Sequence, residues 1–198
     1  MTNSKDLFLD KEIRLGGFYE LAIQVCSSVE NDPIKKYTDF IWTLDNVQGP
    51  FDDNYNKIKT DIEIFSNNGL IKIDNFELPF LTYNVRETEP IETGFNWFDI
   101  CFYTAAIEKV FGSEYQTWVE KPKSPKQLDY FFLTTVKKLF EIYPFKLAIL
   151  GYEVSGQYYF DNLMQEFEYD STPTKFFIGQ KNLELVAAKN RNLITIID

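Results

Sequence analysis

Between Ser124 and Gly156 the apolar positions change their period. Leu128, Phe131, Phe132, Val136, Leu139, Phe140 and Tyr143 recur at steps of one, three and four, which gathers them on one broad helical face. Ser124 and Pro125 suit the start of that helix: the hydroxyl can accept from a free backbone N–H, and a proline in the first turn loses no hydrogen bond. Pro144 ends it, having no N–H to give and disfavouring helical geometry at Tyr143. From Phe145 to Leu150 the run is apolar on both faces apart from Lys146, the pattern of a buried strand. The stretch predicts a helix from Pro125 to Tyr143 covering a central strand.

The rest of the chain reads as elements that complete this core. Tyr19, Leu21, Ile23 and Val25 share one face of a strand, with Phe18, Glu20, Ala22 and Gln24 on the other. Ile34, Tyr37, Phe40, Ile41 and Leu44 mark a second helix from Pro33 to Leu44, with Trp42 off the main stripe. Ile62 and Ile64, then Ile71 and Ile73, alternate with polar residues around Ser66-Asn67-Asn68-Gly69, which predicts a hairpin over Thr60–Ile73. Strands over Phe76–Val85 and Phe95–Phe102, a helix over Thr104–Phe111, and strands at Lys175–Ile178 and Leu193–Ile197 follow. Tyr158 to Tyr169 and Leu183 to Ala188 have no clear period. The expected fold is α+β: a mostly antiparallel sheet of about six to eight strands under two main helices, one domain over residues 1–198 with residues 1–11 polar enough to fray.

Charge narrows the functional classes. The net charge is −10, and residues 1–99 hold 18 acidic against 9 basic side chains, whereas residues 100–198 hold 12 against 11. An acidic first half opposes phosphate backbones and anionic lipid and favours a basic partner, so a nucleic-acid binder is not expected. Cys26 and Cys101 sit in apolar strand patterns and read as buried thiols. No apolar run approaches a membrane span or a signal peptide, and a cytoplasmic setting is expected.

The 198 residues contain no histidine, which removes Ser–His–Asp and Cys–His machinery. Two distant cysteines do not form a zinc set, and no cofactor is expected. Gly151 and Gly156 have the spacing of a phosphate loop, but Gln157 and Tyr158 stand where lysine and serine or threonine are needed. Asp52, Asn54, Asn56 and Glu63 match positions of a calcium loop, yet Lys57 replaces its glycine and a strand pattern follows where a helix should. Glu20, Asp99 and Glu153 are different: each carboxylate lies in or at the end of an apolar strand, where it is costly unless paired or functional. With Trp97 and Tyr152 they form a candidate pocket at strand ends.

Three blocks, Phe18–Ile23, Trp97–Ile100 running into Ala105–Glu108, and Pro144–Gly156, together resemble small bacterial proteins of uncharacterised function, some of them similar to immunity proteins that neutralise polymorphic toxins. The resemblance implies a bacterial cytoplasmic setting and brings no active-site set with it. Two functions from different classes are therefore expected. One is a non-enzymatic inhibitor of a basic protein, steered by Asp52, Asp53, Asp61, Glu63, Glu87, Glu89 and Glu92. The other is a small-ligand protein or carboxylate enzyme built on Glu20, Asp99 and Glu153, and a structural homo-oligomer is a third.

Overall fold

The computed structural model describes residues 3–63, 66–87, 94–117, 119, 122–167 and 174–198. The chain begins with a short helix, α1 (Ser4–Leu9), and a 3₁₀ turn (Lys11–Arg14), then enters β1 (Phe18–Ser27), α2 (Asp32–Trp42) and β2 (Val47–Phe51). The strands β3 (Ser66–Ile73), β4 (Phe76–Arg86) and β5 (Phe95–Tyr103) follow, then α3 (Thr104–Phe111), α4 (Lys126–Ile142), β6 (Leu147–Tyr152), α5 (Phe160–Met164), β7 (Lys175–Gly179) and β8 (Ile194–Ile197). The fold is α+β: one eight-stranded sheet in the order β2-β3-β4-β5-β1-β6-β7-β8, antiparallel except between β7 and β8.

The first strand takes the centre, with β5 and β6 on its two sides. One face of the sheet is covered by α2 and α4. There Tyr19, Leu21, Ile23 and Val25 of β1 join Phe98, Ile100 and Phe102 of β5, Leu128, Phe132, Val136 and Leu139 of α4, and Ile34, Tyr37 and Ile41 of α2 in one cluster. The other face carries a smaller cluster in which Ala22, Trp97, Leu147, Ile149, Phe176 and Ile178 pack under Val154, Phe160, Leu163 and Val186. This second cover stops short of the sheet around the first half of β1, and there the face is left to polar side chains.

The main helix begins one residue later than its proline suggested. Pro125 takes the capping position without a side-chain bond, and Ser124 instead contributes a hydrogen bond to Asp129. Among the described residues the N-terminal segment forms α1 and the 3₁₀ turn. Phe8 is buried against the rings of Phe51 and Tyr55, which ties α1 to the β2 end of the sheet.

The predicted turn at Ser66–Gly69 does not form. All four residues lie inside β3, and the chain reverses at Asp74, whose φ of +53° is left-handed. Gly69 is there for space: a Cβ would lie 2.4 Å from Gln48 O on β2 and 2.6 Å from the Trp42 ring, which stacks on Phe80 and donates from Nε1 to Thr82 Oγ1 at 3.0 Å. Gly69→Ala should therefore cost about 1–3 kcal/mol in urea unfolding through overpacking; an unchanged midpoint would mean that Trp42 does not press on β3. Val47–Phe51, which holds Gly49-Pro50, is the edge strand beside it.

Candidate functional site

Strand alternation decides which carboxylates meet. Glu20 of β1 is paired with Cys101 of β5, and Asp99 of β5 is paired with Ala22 on one side and Tyr83 of β4 on the other. Glu20 and Asp99 are thus diagonal neighbours on one sheet face, within side-chain reach. Both are buried, at 3% and 1% exposure.

The loop after β6 completes the site. Glu153 adopts a left-handed φ of +52°, a conformation that costs a residue with a Cβ about 1–2 kcal/mol. That turn folds the chain back over the face and returns the Glu153 carboxylate to β1, where Oε1 accepts from Phe18 N at 2.5 Å. Gly17 makes the approach possible, since a Cβ there would collide with the Glu153 carboxylate. Two residues on, Ser155 bridges the buried pair: its N–H donates to Glu20 Oε1 at 2.8 Å and its hydroxyl to Asp99 Oδ2 at 2.6 Å. The Cys101 thiol donates to the second oxygen of Glu20 at 3.3 Å.

Glu20, Asp99, Glu153 and Ser155 line an open pocket of about 270 Å³ together with Phe18, Tyr83 and Val85. The Phe18 and Tyr83 rings meet edge to face at 5.8 Å. Asp99 Oδ1 is shut off from water and has no close hydrogen-bond partner, while the Ile23 backbone N–H near the carboxyl favours its charged form. Burial and the neighbouring Glu20 charge push the Asp99 carboxyl up to about 8. Burial, then Glu153, also raises Glu20, against the hydrogen bonds from Ser155 and Cys101 that favour its charged form. Both carboxyls are thus pushed toward their protonated forms, and at neutral pH Asp99 holds a proton. Two larger grooves, of about 490 and 460 Å³, lie elsewhere on the surface, and neither is lined by a buried ionisable group.

Of the residues named from sequence, the structure brings Glu20, Asp99 and Glu153 together and leaves Trp97 and Tyr152 out. Trp97 is buried in the second cluster, with its Nε1 on Glu87. Tyr152 points to the opposite face, where its ring meets Tyr19 at 4.8 Å in a tilted pair, and it donates to Lys123 O. The sequence reading missed Phe18, Tyr83, Val85 and Ser155. Ser155 carried one signal, its place in the glycine-bounded stretch from Gly151 to Gly156, but that stretch was tested only for phosphate.

The acidic residues expected to steer a basic partner have varied surroundings. Asp52 accepts from Asn54 N, Asn56 N and Asn56 Nδ2, an Asx turn that engages the carboxylate. Glu63 pairs with Arg86 at 3.0 Å, and Asp61 accepts from the Glu63 N–H. Glu87 is an internal acceptor for Trp97 Nε1, Tyr159 OH and Phe95 N. Asp53 is exposed, while Glu89 and Glu92 lie outside the described residues.

Among the described residues no group of three cysteine, aspartate or glutamate side chains is arranged to hold a metal ion, and no helix is long and apolar enough to cross a membrane. No protein-family model, curated protein or solved structure matches the chain.

Proposed function

We propose that the chain is a small-ligand-binding protein and that the pocket between Glu20, Asp99 and Glu153 receives a cationic group. The observation that carries this reading is Asp99: a buried carboxyl with no close partner for one oxygen, set beside a second buried carboxylate at the wall of a pocket. Such an arrangement lowers the stability of the empty protein by disfavouring ionisation of the pair, and a cation in the pocket favours that ionisation. The left-handed Glu153 adds to the local cost, as strain at binding sites often does. The aromatic wall fits the same ligand, because the faces of Phe and Tyr rings attract cations.

The acidic-surface reading draws less support, since Glu87 accepts from Trp97, Tyr159 and Phe95 and Asp52 accepts from its own turn. The test is a backbone-amide NMR titration with small organic cations and their neutral isosteres. Shifts confined to the amides of Phe18, Asp99 and Ser155, produced by cations and abolished in a Glu20→Gln/Asp99→Asn double variant, are expected. Equal shifts from neutral isosteres, or shifts centred elsewhere, would remove the proposal.

A further inference from the structure

We infer that two copies of the chain pair through β8, antiparallel about a two-fold axis, so that the sheet of one copy runs on into the sheet of the other. None of the pocket's residues takes part.

The two edges of the sheet are built differently. At one edge β2 is closed. Pro50 has no N–H to offer, the register on β3 shifts between Gln48 and Phe51, and the chain after the strand folds back along it: the Ile58 N–H donates to Pro50 O at 2.9 Å, and Lys57 bridges to Phe51. These are features that keep an edge from pairing with another chain. At the other edge β8 has none of them. Its four residues, Ile194-Thr195-Ile196-Ile197, hold no charge, proline or glycine, and their register on β7 runs without a shift from Phe176 and Ile194 to Gly179 and Ile197. Among the described residues no strand lies beyond it. Isoleucine and threonine favour extended backbone. Thr195 and Ile196 point to opposite faces, and both are exposed, Ile196 at 39%, so neither face of this edge is covered. On the α4 side the exposed Tyr130 and Leu133 stand with Thr195 around an open groove of about 250 Å³, which offers an incoming strand apolar surface as well as backbone partners.

Charge selects the occupant. The strands β2, β3, β4, β5 and β1 come almost wholly from the first half of the chain, with 18 acidic against 9 basic side chains, and β6, β7 and β8 from the second half, with 12 against 11. Two copies joined at β8 meet through the less charged side and hold their acidic sides at opposite ends of the joined sheet, whereas any contact through β2 would bring an acidic side into it. With β2 closed, the β8 edge of one copy finds an open edge only in β8 of another. That contact is isologous and stops at two copies. Four residues a side make a small interface, so the dimer is weak, with a Kd between about 1 μM and 1 mM.

The experiment is sedimentation equilibrium of the whole protein from about 10 μM to about 1 mM, at low and at high salt, with amide hydrogen exchange followed by NMR at both ends of that range. A dimer and nothing larger is expected. Because each copy carries a charge of −10, added salt should strengthen the dimer, the opposite of what a contact between acidic and basic surfaces would show. Protection should rise with concentration at the amides of β8 and stay level at those of β2. Thr195→Lys and Ile196→Lys set like charges near the axis on opposite faces, and each should weaken dimerisation about tenfold or more while the folded chain keeps the circular dichroism of the parent. A chain still monomeric at the highest concentration, association that continues past two, a dimer weakened by salt, one indifferent to both lysine variants, or protection gained outside β8 overturns the inference.

Discussion

Asp99→Asn should raise the stability of the protein, and by more as the pH rises. The carboxyl titrates near 8 in the folded chain against an ordinary value of 3.8. Between those limits the native state holds a proton that the unfolded state has lost, so the stability of the parent falls as pH increases and levels off above about 8. At about 1.36 kcal/mol per pH unit the whole window amounts to on the order of 5 kcal/mol, part of which Glu20 shares. Asparagine carries no charge and keeps an oxygen that can accept from the Ser155 hydroxyl. Parent and variant should therefore melt close together near pH 4, and the variant should melt several degrees higher at pH 8.5, at roughly 2–4 °C for each kcal/mol in a chain of this size. Thermal unfolding followed by circular dichroism from pH 4 to pH 9 measures this. A variant less stable than the parent across that range would make Asp99 a structural anchor instead of a destabilised binding group.

Phe132→Ala carries the second large effect, of opposite sign. Phe132 is fully buried, and its ring meets Tyr19 at 5.6 Å, Phe102 at 5.4 Å and Phe131 at 5.5 Å. It joins α4 to the two strands that carry Glu20 and Asp99. Removing it leaves a cavity between rigid aromatic walls that collapse poorly, and the expected cost is about 3–5 kcal/mol. Urea unfolding should show a lower midpoint at unchanged slope. A loss below about 1 kcal/mol would mean that α4 does not seat over β1 and β5 through this ring.

The two predictions touch opposite faces of the same strand, and they mark how far the sequence can be read. The 3.6-residue period of Leu128, Phe132, Val136 and Leu139 and the two-residue period of Tyr19, Leu21, Ile23 and Val25 are local signals, and both faces are buried as read. Thr104–Phe111 forms a helix over the expected residues, stopped by Gly112. Gly69 misled for a physical reason: asparagines and glycine signal a turn when only neighbours in the chain are considered, whereas this glycine makes room for Trp42, which lies 27 positions earlier. The edge strand around Gly49-Pro50 was hidden in the same way, because its pairing with β3 is not local. Trp97 and Tyr152 were drawn to the pocket by their positions near strand ends, but the pleat and the covering segments turn them elsewhere.

What the sequence by itself determined is the α+β class, the helix-on-sheet core, and the suspicion attached to carboxylates at Glu20, Asp99 and Glu153, since charge within an apolar strand is anomalous before any partner is known. What only the tertiary structure decided is that these anomalies are one site. Glu20 and Asp99 become neighbours through the register of β1 on β5, and Ser155 reaches both because β6 pairs on the other side of β1 and its turn folds back over them. Those pairings join residues 79 and 135 positions apart. Hydrophobic period reports the face on which a side chain lies; the neighbour it meets there depends on strand order and register, which arise from packing the whole sheet at once.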